Sequence, residues 1–239
     1  MLATVFDKVC VTAEWRTLLE PTTLTLAQQH TAIIGANGSG KSTFLKLISG
    51  LVQPTYGHVS VDGMDTIDQA PAVRARVGYV FAAPEAQLIM PTVSEDLELS
   101  LSVAGRRKRR AATPAHKFAG VQENVDTILD RFGLTGHNHT PVHALSGGQK
   151  QLLALAGVVI ANPEIILCDE PTTRLDMLWR RRLIKILFDL PQQLIIATHD
   201  LDLAQQCERV IVIDEAAVVF DGEPAKAIAM YTDLMLERP

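Results

Sequence analysis

Cysteine is scarce: the chain has three, Cys10, Cys168 and Cys207, far apart and without a C-x-x-C pair. That excludes a disulfide framework and a cysteine zinc site, and leaves buried or inert thiols as the expectation. Long apolar runs are missing as well. No stretch approaches the roughly 18 to 20 residues a bilayer span needs, and the N-terminus lacks a basic segment followed by an apolar core and a cleavage site, so a cytosolic chain is expected. There is no internal repeat and no long low-complexity linker. Nor is there an excess of basic residues: 22 Lys and Arg against 27 Asp and Glu give a net charge of −5, which argues against nucleic acid as the main partner. What the chain does have is 239 residues of 47% hydrophobic content, enough for a buried core in one large domain or two lobes.

Residues 35 to 42 read Gly-Ala-Asn-Gly-Ser-Gly-Lys-Ser. Upstream, Thr31-Ala32-Ile33-Ile34 is a short β-type run; downstream, Thr43 to Ile48 carries apolar residues at helical spacing. The context is strand, loop, helix, and the octet has the pattern of a phosphate-binding loop. Glycines at 35, 38 and 40 let the backbone curl, so that its N–H groups, those of Asn37 and Ser39 included, and the start of the helix at Thr43 face one anion. Lys41 then reaches the β- and γ-phosphates, and the Ser42 hydroxyl takes a Mg²⁺ position. ATP and Mg²⁺ are the expected ligands.

The rest of the chain divides by pattern. β-rich segments flank the loop from about Val5 to Val61, with a turn at Gln53-Pro54-Thr55-Tyr56-Gly57 before His58-Val59-Ser60-Val61. Between about Pro91 and Asn162 the spacing turns helical, in Val93 to Val103 and Val121 to Phe132, which reads as an insertion. After Pro163, the apolar runs 165–167, 194–197 and 210–213 alternate with helical segments, as a mainly parallel sheet covered on both faces requires. The expected class is α/β. The expected division is a core from residues 1–90 and 163–239, with a β-rich N-terminal part, and a helical subdomain from 91–162. The basic cluster Arg106-Arg107-Lys108-Arg109-Arg110 has two readings, a solvated surface segment or an attraction to anionic lipid headgroups at about 1 kcal/mol per basic residue.

Two further motifs carry chemistry. Ile165-Ile166-Leu167-Cys168-Asp169-Glu170-Pro171-Thr172 is an apolar strand ending in two acids, where ligands bind in open α/β sheets. Asp169 would hold the Mg²⁺ shell with Ser42, and Glu170 would polarise the water that attacks the γ-phosphate. Leu145-Ser146-Gly147-Gly148-Gln149 precedes a Leu- and Ala-rich helical run and makes a second anion-binding helix start. An ordinary Ser N-cap is the alternative at that position taken alone.

Together the three motifs resemble the ATP-binding cassette family, over essentially the whole chain. The resemblance implies a P-loop NTPase core of RecA-like architecture with an inserted α-helical subdomain. It implies ATP hydrolysis, and a head-to-tail pair in which one subunit's phosphate loop and the other's signature motif trap ATP. Ser146, Gly147, Gly148 and Gln149 then bind nucleotide from the opposite side. Thr173-Arg174-Leu175-Asp176 is similar to the family's D-loop, which takes Asp176 across the interface. Ala197-Thr198-His199-Asp200 is similar to its switch-histidine motif, with His199 contacting the γ-phosphate. Trp15 matches the aromatic that stacks on adenine, with a partly buried Trp as the alternative.

One place departs from the family pattern. The glutamine that many relatives carry two residues past Val80 is Ala82 here, and Gln87 follows five residues later, so metal contact from this loop falls to Gln87 and water. The string Pro84 to Asp96 resembles the same loop in ATPases of energy-coupling factor importers, those for biotin first and for cobalt next. Implied partners are a second copy or a paralogous ATPase, a transmembrane coupling protein and a substrate-binding membrane protein, with this chain on the cytoplasmic face of the membrane. The competing readings are a cassette ATPase of another transporter class, a non-transport cassette protein, and a small-molecule P-loop kinase, against which Leu145 to Gln149 argues.

Overall fold

The computed structural model describes residues 2–110 and 124–238, with only the backbone of 108–110. Of the basic cluster, Arg106 and Arg107 are therefore described, and the side chains of Lys108, Arg109 and Arg110 lie outside the described residues. In chain order the elements are β1 (Thr4–Ala13), β2 (Arg16–Leu26), β3 (His30–Ile34), α1 (Lys41–Ile48), β4 (Tyr56–Val61), β5 (Met64–Asp65), α2 (Ala70–Arg76) and β6 (Val77–Val80). α3 (Val93–Arg110), α4 (Val125–Phe132) and α5 (Gly147–Val159) follow without an intervening strand. The chain then runs through β7 (Ile165–Asp169), α6 (Met177–Phe188), β8 (Gln193–Ala197), α7 (Leu201–Ala204), β9 (Arg209–Asp214), β10 (Ala217–Gly222) and α8 (Pro224–Leu236).

The strands form two sheets. One is four-stranded in the order β2-β1-β4-β5, the other six-stranded in the order β10-β9-β3-β8-β7-β6. The larger sheet is parallel throughout except for the β9–β10 edge hairpin. Its strands β7 and β8 are buried at every position. That explains the unbroken apolar runs 165–168 and 194–197 within them: a strand covered on both faces has no solvent side to mark with polar residues. β1 instead mixes buried and exposed positions, as the sheet nearer solvent should.

Alternate side chains of the central strands feed two separate cores. Ile33, Leu167, Ile195 and Ile211 point to one face, where α1 packs between the two sheets and Phe44 stacks on Phe6 at 4.3 Å. Ala32, Ile34, Cys168, Ile196 and Val212 point to the other, against α4, α5 and α6. Cys168 is fully buried, and burial pushes its thiol well above the ordinary range, so it is a packed strand residue. Cys207 is also buried, its thiol pushed up to about 12, and all three cysteines are free.

One buried ion pair locks the sheets to each other. Arg76, at the end of α2, forks onto Glu164 just before β7 and also reaches Asp62 in the β4–β5 turn at 2.9 Å. An arginine this buried is tolerated only because its donors are spent on two carboxylates.

Parallel register places the carboxyl ends of β3, β7 and β8 side by side. Ile33 pairs with Ala197, and Ala197 pairs with Asp169. The phosphate loop, the Asp169-Glu170 pair and the Thr198-His199 segment therefore leave the sheet at one edge. Among the described residues no helix is long and apolar enough to cross a membrane.

Candidate active site

The loop between β3 and α1 can close as it does only with glycine at two of its turns. Gly40, the N-cap of α1, has φ of 113°, and a Cβ there would lie 2.6 Å from the Leu18 carbonyl oxygen. A Cβ at Gly35 would collide with the Ile213 carbonyl oxygen. Because Gly40 has no side-chain acceptor, the first N–H groups of α1 have no cap and remain available to an anion.

Lys41 is buried, and its ammonium donates to the carbonyl oxygens of Gly35 at 2.8 Å and Ala36 at 3.1 Å. The charge folds back over its own loop. It also lies 3.5 Å from Glu170 Oε1. Ser42 Oγ donates to Asp169 Oδ1 at 2.8 Å, and the Tyr79 hydroxyl donates to Asp169 Oδ2 at 3.0 Å. Burial, with the Asp169 charge adding to it, raises the Tyr79 phenol far above its ordinary range, so it remains a donor. A hydroxyl and a carboxylate oxygen thus meet at the foot of the loop.

Glu170 sits at φ of 50°, a left-handed conformation that costs a non-glycine residue about 1–2 kcal/mol. Its own N–H donates to the Ala197 carbonyl at 2.8 Å, which pins the strained residue to β8. Oε2 lies 2.7 Å from His199 Nδ1 and accepts from the Thr173 hydroxyl at 3.4 Å. Oε1 is buried with no hydrogen-bond partner. A carboxylate oxygen held this way, beside a lysine, is placed to accept a bond from a ligand or water.

Arg16, Asn37, Gly38, Lys41, Ser42 and Glu170 border a hollow of about 250 Å³ over the loop. Sequence reasoning missed two participants. Arg16 donates to the Gly38 carbonyl at 3.2 Å, and Tyr79 anchors Asp169 from a neighbouring strand. Arg16 could have been found as the neighbour of Trp15 at the hairpin end; nothing local marks Tyr79. Trp15 itself, in the β1–β2 turn, is 88% exposed, so the alternative of a partly buried Trp is excluded and an open ring face is present.

The signature residues are elsewhere. Ser146 caps α5 in a reciprocal box with Gln149: Gln149 N–H donates to Ser146 Oγ at 3.3 Å and Ser146 N–H donates to Gln149 Oε1 at 2.9 Å. Gln149 Nε2 also meets His137 Nε2 at 3.2 Å. Gly148 is buried with a Trp179 ring where a Cβ would go, whereas a Cβ at Gly147 would meet nothing within 4 Å. Asp176 is exposed and caps α6, accepting from the Trp179 N–H at 2.9 Å. None of Ser146, Gly147, Gly148, Gln149 or Asp176 borders the hollow over the phosphate loop.

Gln87 departs from what its position suggested. Its Nε2 donates to the Ala154 carbonyl on α5 at 2.7 Å and its Oε1 accepts from the Phe81 N–H at 3.4 Å. The amide is spent stitching the loop to α5, and the structure does not bring it to Ser42 or Asp169. The short 3₁₀ turn Pro84–Ala86 carries it that way. Gln87 lines instead a groove of about 380 Å³ between α2, β6, α3 and α5, together with Tyr79, Ile89 and Leu99.

Comparison with known proteins came down on one family. The family model described as ABC transporter matches residues 19–173. The biotin transport ATP-binding protein BioM of Rhizobium etli is 38% identical over 229 residues, covering 96% of this chain and 97% of its own. The structure of cbiO1 from Clostridium perfringens, part of the ABC transporter complex cbiONQ, matches with a TM-score of 0.76 at 27% identity, over 99% of this chain and 95% of that one. A dimeric ATP-binding cassette in a post-hydrolysis state, bound to ADP and Pi, matches with a TM-score of 0.76 at 28% identity, over 92% and 98%.

Proposed function

We infer that this chain, which belongs to the ABC transporter family as an ATP-binding and ATP-hydrolysing subunit, powers an energy-coupling factor importer whose cargo is biotin. The observation that carries the cargo is the end-to-end likeness to the biotin transport ATP-binding protein. A cobalt importer, the next resemblance of the string Pro84 to Asp96, is the second reading.

In this proposal two copies, or this chain and a paralogous ATPase, close head to tail on two ATP. Lys41 leaves the Gly35 and Ala36 carbonyls for the β- and γ-phosphates, whose oxygens also take the uncapped N–H groups of α1. Asn37, Gly38, Ser39 and Thr43 complete the cradle, and Trp15 offers its face to adenine. From the partner copy, Ser146, Gly147, Gly148 and Gln149 close over the γ-phosphate, with Asp176 at the seam. Glu170 accepts the proton of the attacking water as its oxygen bonds to phosphorus and the bond to the β,γ-bridging oxygen breaks; His199 keeps Glu170 aimed and faces the γ-phosphate.

Mg²⁺ fits this donor set. Ser42 Oγ and Asp169 Oδ1 are hard oxygens 2.8 Å apart, and among the described residues no group of three or more His, Cys, Asp and Glu could hold a metal unaided. That suits an ion which takes one or two protein oxygens and completes its shell with phosphate and water, neutralising charge on the phosphates when bound. Gln87 does not belong to that set in this conformation. The groove beside residues 80 to 96 would receive the transmembrane coupling protein at the cytoplasmic face of the membrane, with a substrate-binding membrane protein completing the importer.

The test is purification with membrane subunits followed by uptake of labelled biotin into vesicles. ATP-driven biotin uptake is expected. Uptake of cobalt ion in its place would move the assignment to the second reading, and failure to associate with any membrane protein would overturn the transporter role.

A further inference from the structure

We propose that Arg180 is a positioning residue for hydrolysis: by gripping Asp200 it sets His199 against Glu170 and ties that pair to the segment that leads through Asp176. This inference rests on the role given above to His199 and Glu170.

Asp200 follows His199 directly, and its carboxylate collects bonds from three directions. Arg180 Nε donates to Oδ2 at 2.6 Å and Nη2 to Oδ1 at 2.5 Å, a two-pronged grip that only a guanidinium makes. The Thr172 hydroxyl donates to Oδ2 at 3.1 Å, and the Leu203 N–H donates to Oδ1 at 3.1 Å. Asp200 also donates its own N–H to the Thr198 hydroxyl at 3.0 Å. The Asp200 side chain is 8% exposed. Burial alone would raise this carboxyl, but the guanidinium and the Leu203 N–H outweigh it and hold Asp200 below its ordinary range.

Capping α7 would need one carboxylate oxygen and one N–H, and α7 is only four residues long. The remaining bonds go to Thr172 and Arg180, both on the stretch that follows Glu170. Asp200 is thus a rivet between residues 170–180 and 198–203, on either side of the 2.7 Å contact from His199 to Glu170. His199 has a side chain 57% exposed, so little packing fixes its place. The second contact of Arg180, to the exposed Asp202 at 2.8 Å, lies in solvent and contributes little. Arg180 also stands in the first turn of α6, which Asp176 caps. A shift of that turn at a subunit interface would therefore reach His199 through two side chains.

Arg180→Ala should lower kcat for ATP hydrolysis by roughly 10- to 100-fold with KM for ATP changed less than about threefold, the mark of lost orientation at a general base and not of lost binding. Arg180→Lys should recover only part of the rate, since an ammonium cannot fork. Combined with His199→Ala, the Arg180 substitution should add almost nothing, because its effect passes through the histidine. Equal factors in both backgrounds, or an unchanged kcat with only a lowered Tm, would overturn the proposal. If Arg180→Ala does not fold, Arg180→Lys and Asp200→Asn enter the same cycle with the same two criteria. Near-normal turnover in His199→Ala alone would instead overturn the catalytic reading on which this one rests.

Discussion

Both the phosphate loop and the turn at Ser146 lead into a helix, but only the second caps one of its first N–H groups with a side chain. α1 begins at Gly40 with no side-chain cap, buried under two sheets, and its loop is bridged by a lysine bonded to the loop's own carbonyls. α5 begins at Ser146 with a complete capping box, exposed, its hydroxyl already bonded to Gln149 N–H. The first leaves the N–H groups of Lys41, Ser42 and Thr43 without a side-chain acceptor. The second spends one helix N–H, that of Gln149, on Ser146 Oγ at a weak 3.3 Å, and the N–H groups of Gly147 and Gly148 have no side-chain cap. In the proposed head-to-tail pair, the first of these would hold the phosphates and the second would close on them from the partner copy.

That contrast can be attacked where it is strongest. Glu170→Gln should cut hydrolysis by about 10² to 10⁴ while ATP still binds, as loss of a general base does; turnover near the parent's would remove Glu170 from the mechanism. Next, Gly147→Asp should leave the fold intact, because a Cβ there meets nothing and an acid suits a helix start. It should nevertheless stop hydrolysis by setting a carboxylate against phosphate. Mixed with Lys41→Ala chains, which keep a sound signature turn but bind ATP weakly, it should recover turnover that neither has alone. No recovery in the mixture would mean that each chain completes its own site. The smallest effect is expected at the adjacent glycine: Gly148→Ala drives a methyl into the Trp179 ring and should cost about 1–3 kcal/mol of stability, read as a lowered Tm in thermal unfolding. An unchanged Tm would show that the Trp179 contact yields freely.

The α/β class and the family were legible because both follow from local pattern. Apolar runs without alternation mean strands covered on both faces, and an octet between a strand and a helix needs little context. Distances across the chain were not legible. Tyr79 and Asp169 are 90 residues apart, and their bond exists because β6 pairs with β7. Gln87 was read by its spacing from Val80, whereas a 3₁₀ turn and the Ala154 carbonyl decide where its amide goes. Arg180 showed nothing in sequence beyond being one of three consecutive arginines in a helix.

By itself, then, the sequence determined which groups this protein has for handling phosphate: three glycines, a lysine and a serine in one loop, two acids at a strand end, a serine and two glycines before a helix. These are local matters of backbone freedom and functional group. Only the tertiary structure decided which of them meet. Parallel register brought Ser42 to Asp169 and His199 to Glu170, burial left Glu170 Oε1 without a hydrogen-bond partner, and the same packing kept Ser146 on an outer face of the chain. Such meetings depend on contacts between distant residues, and no local window of sequence contains them.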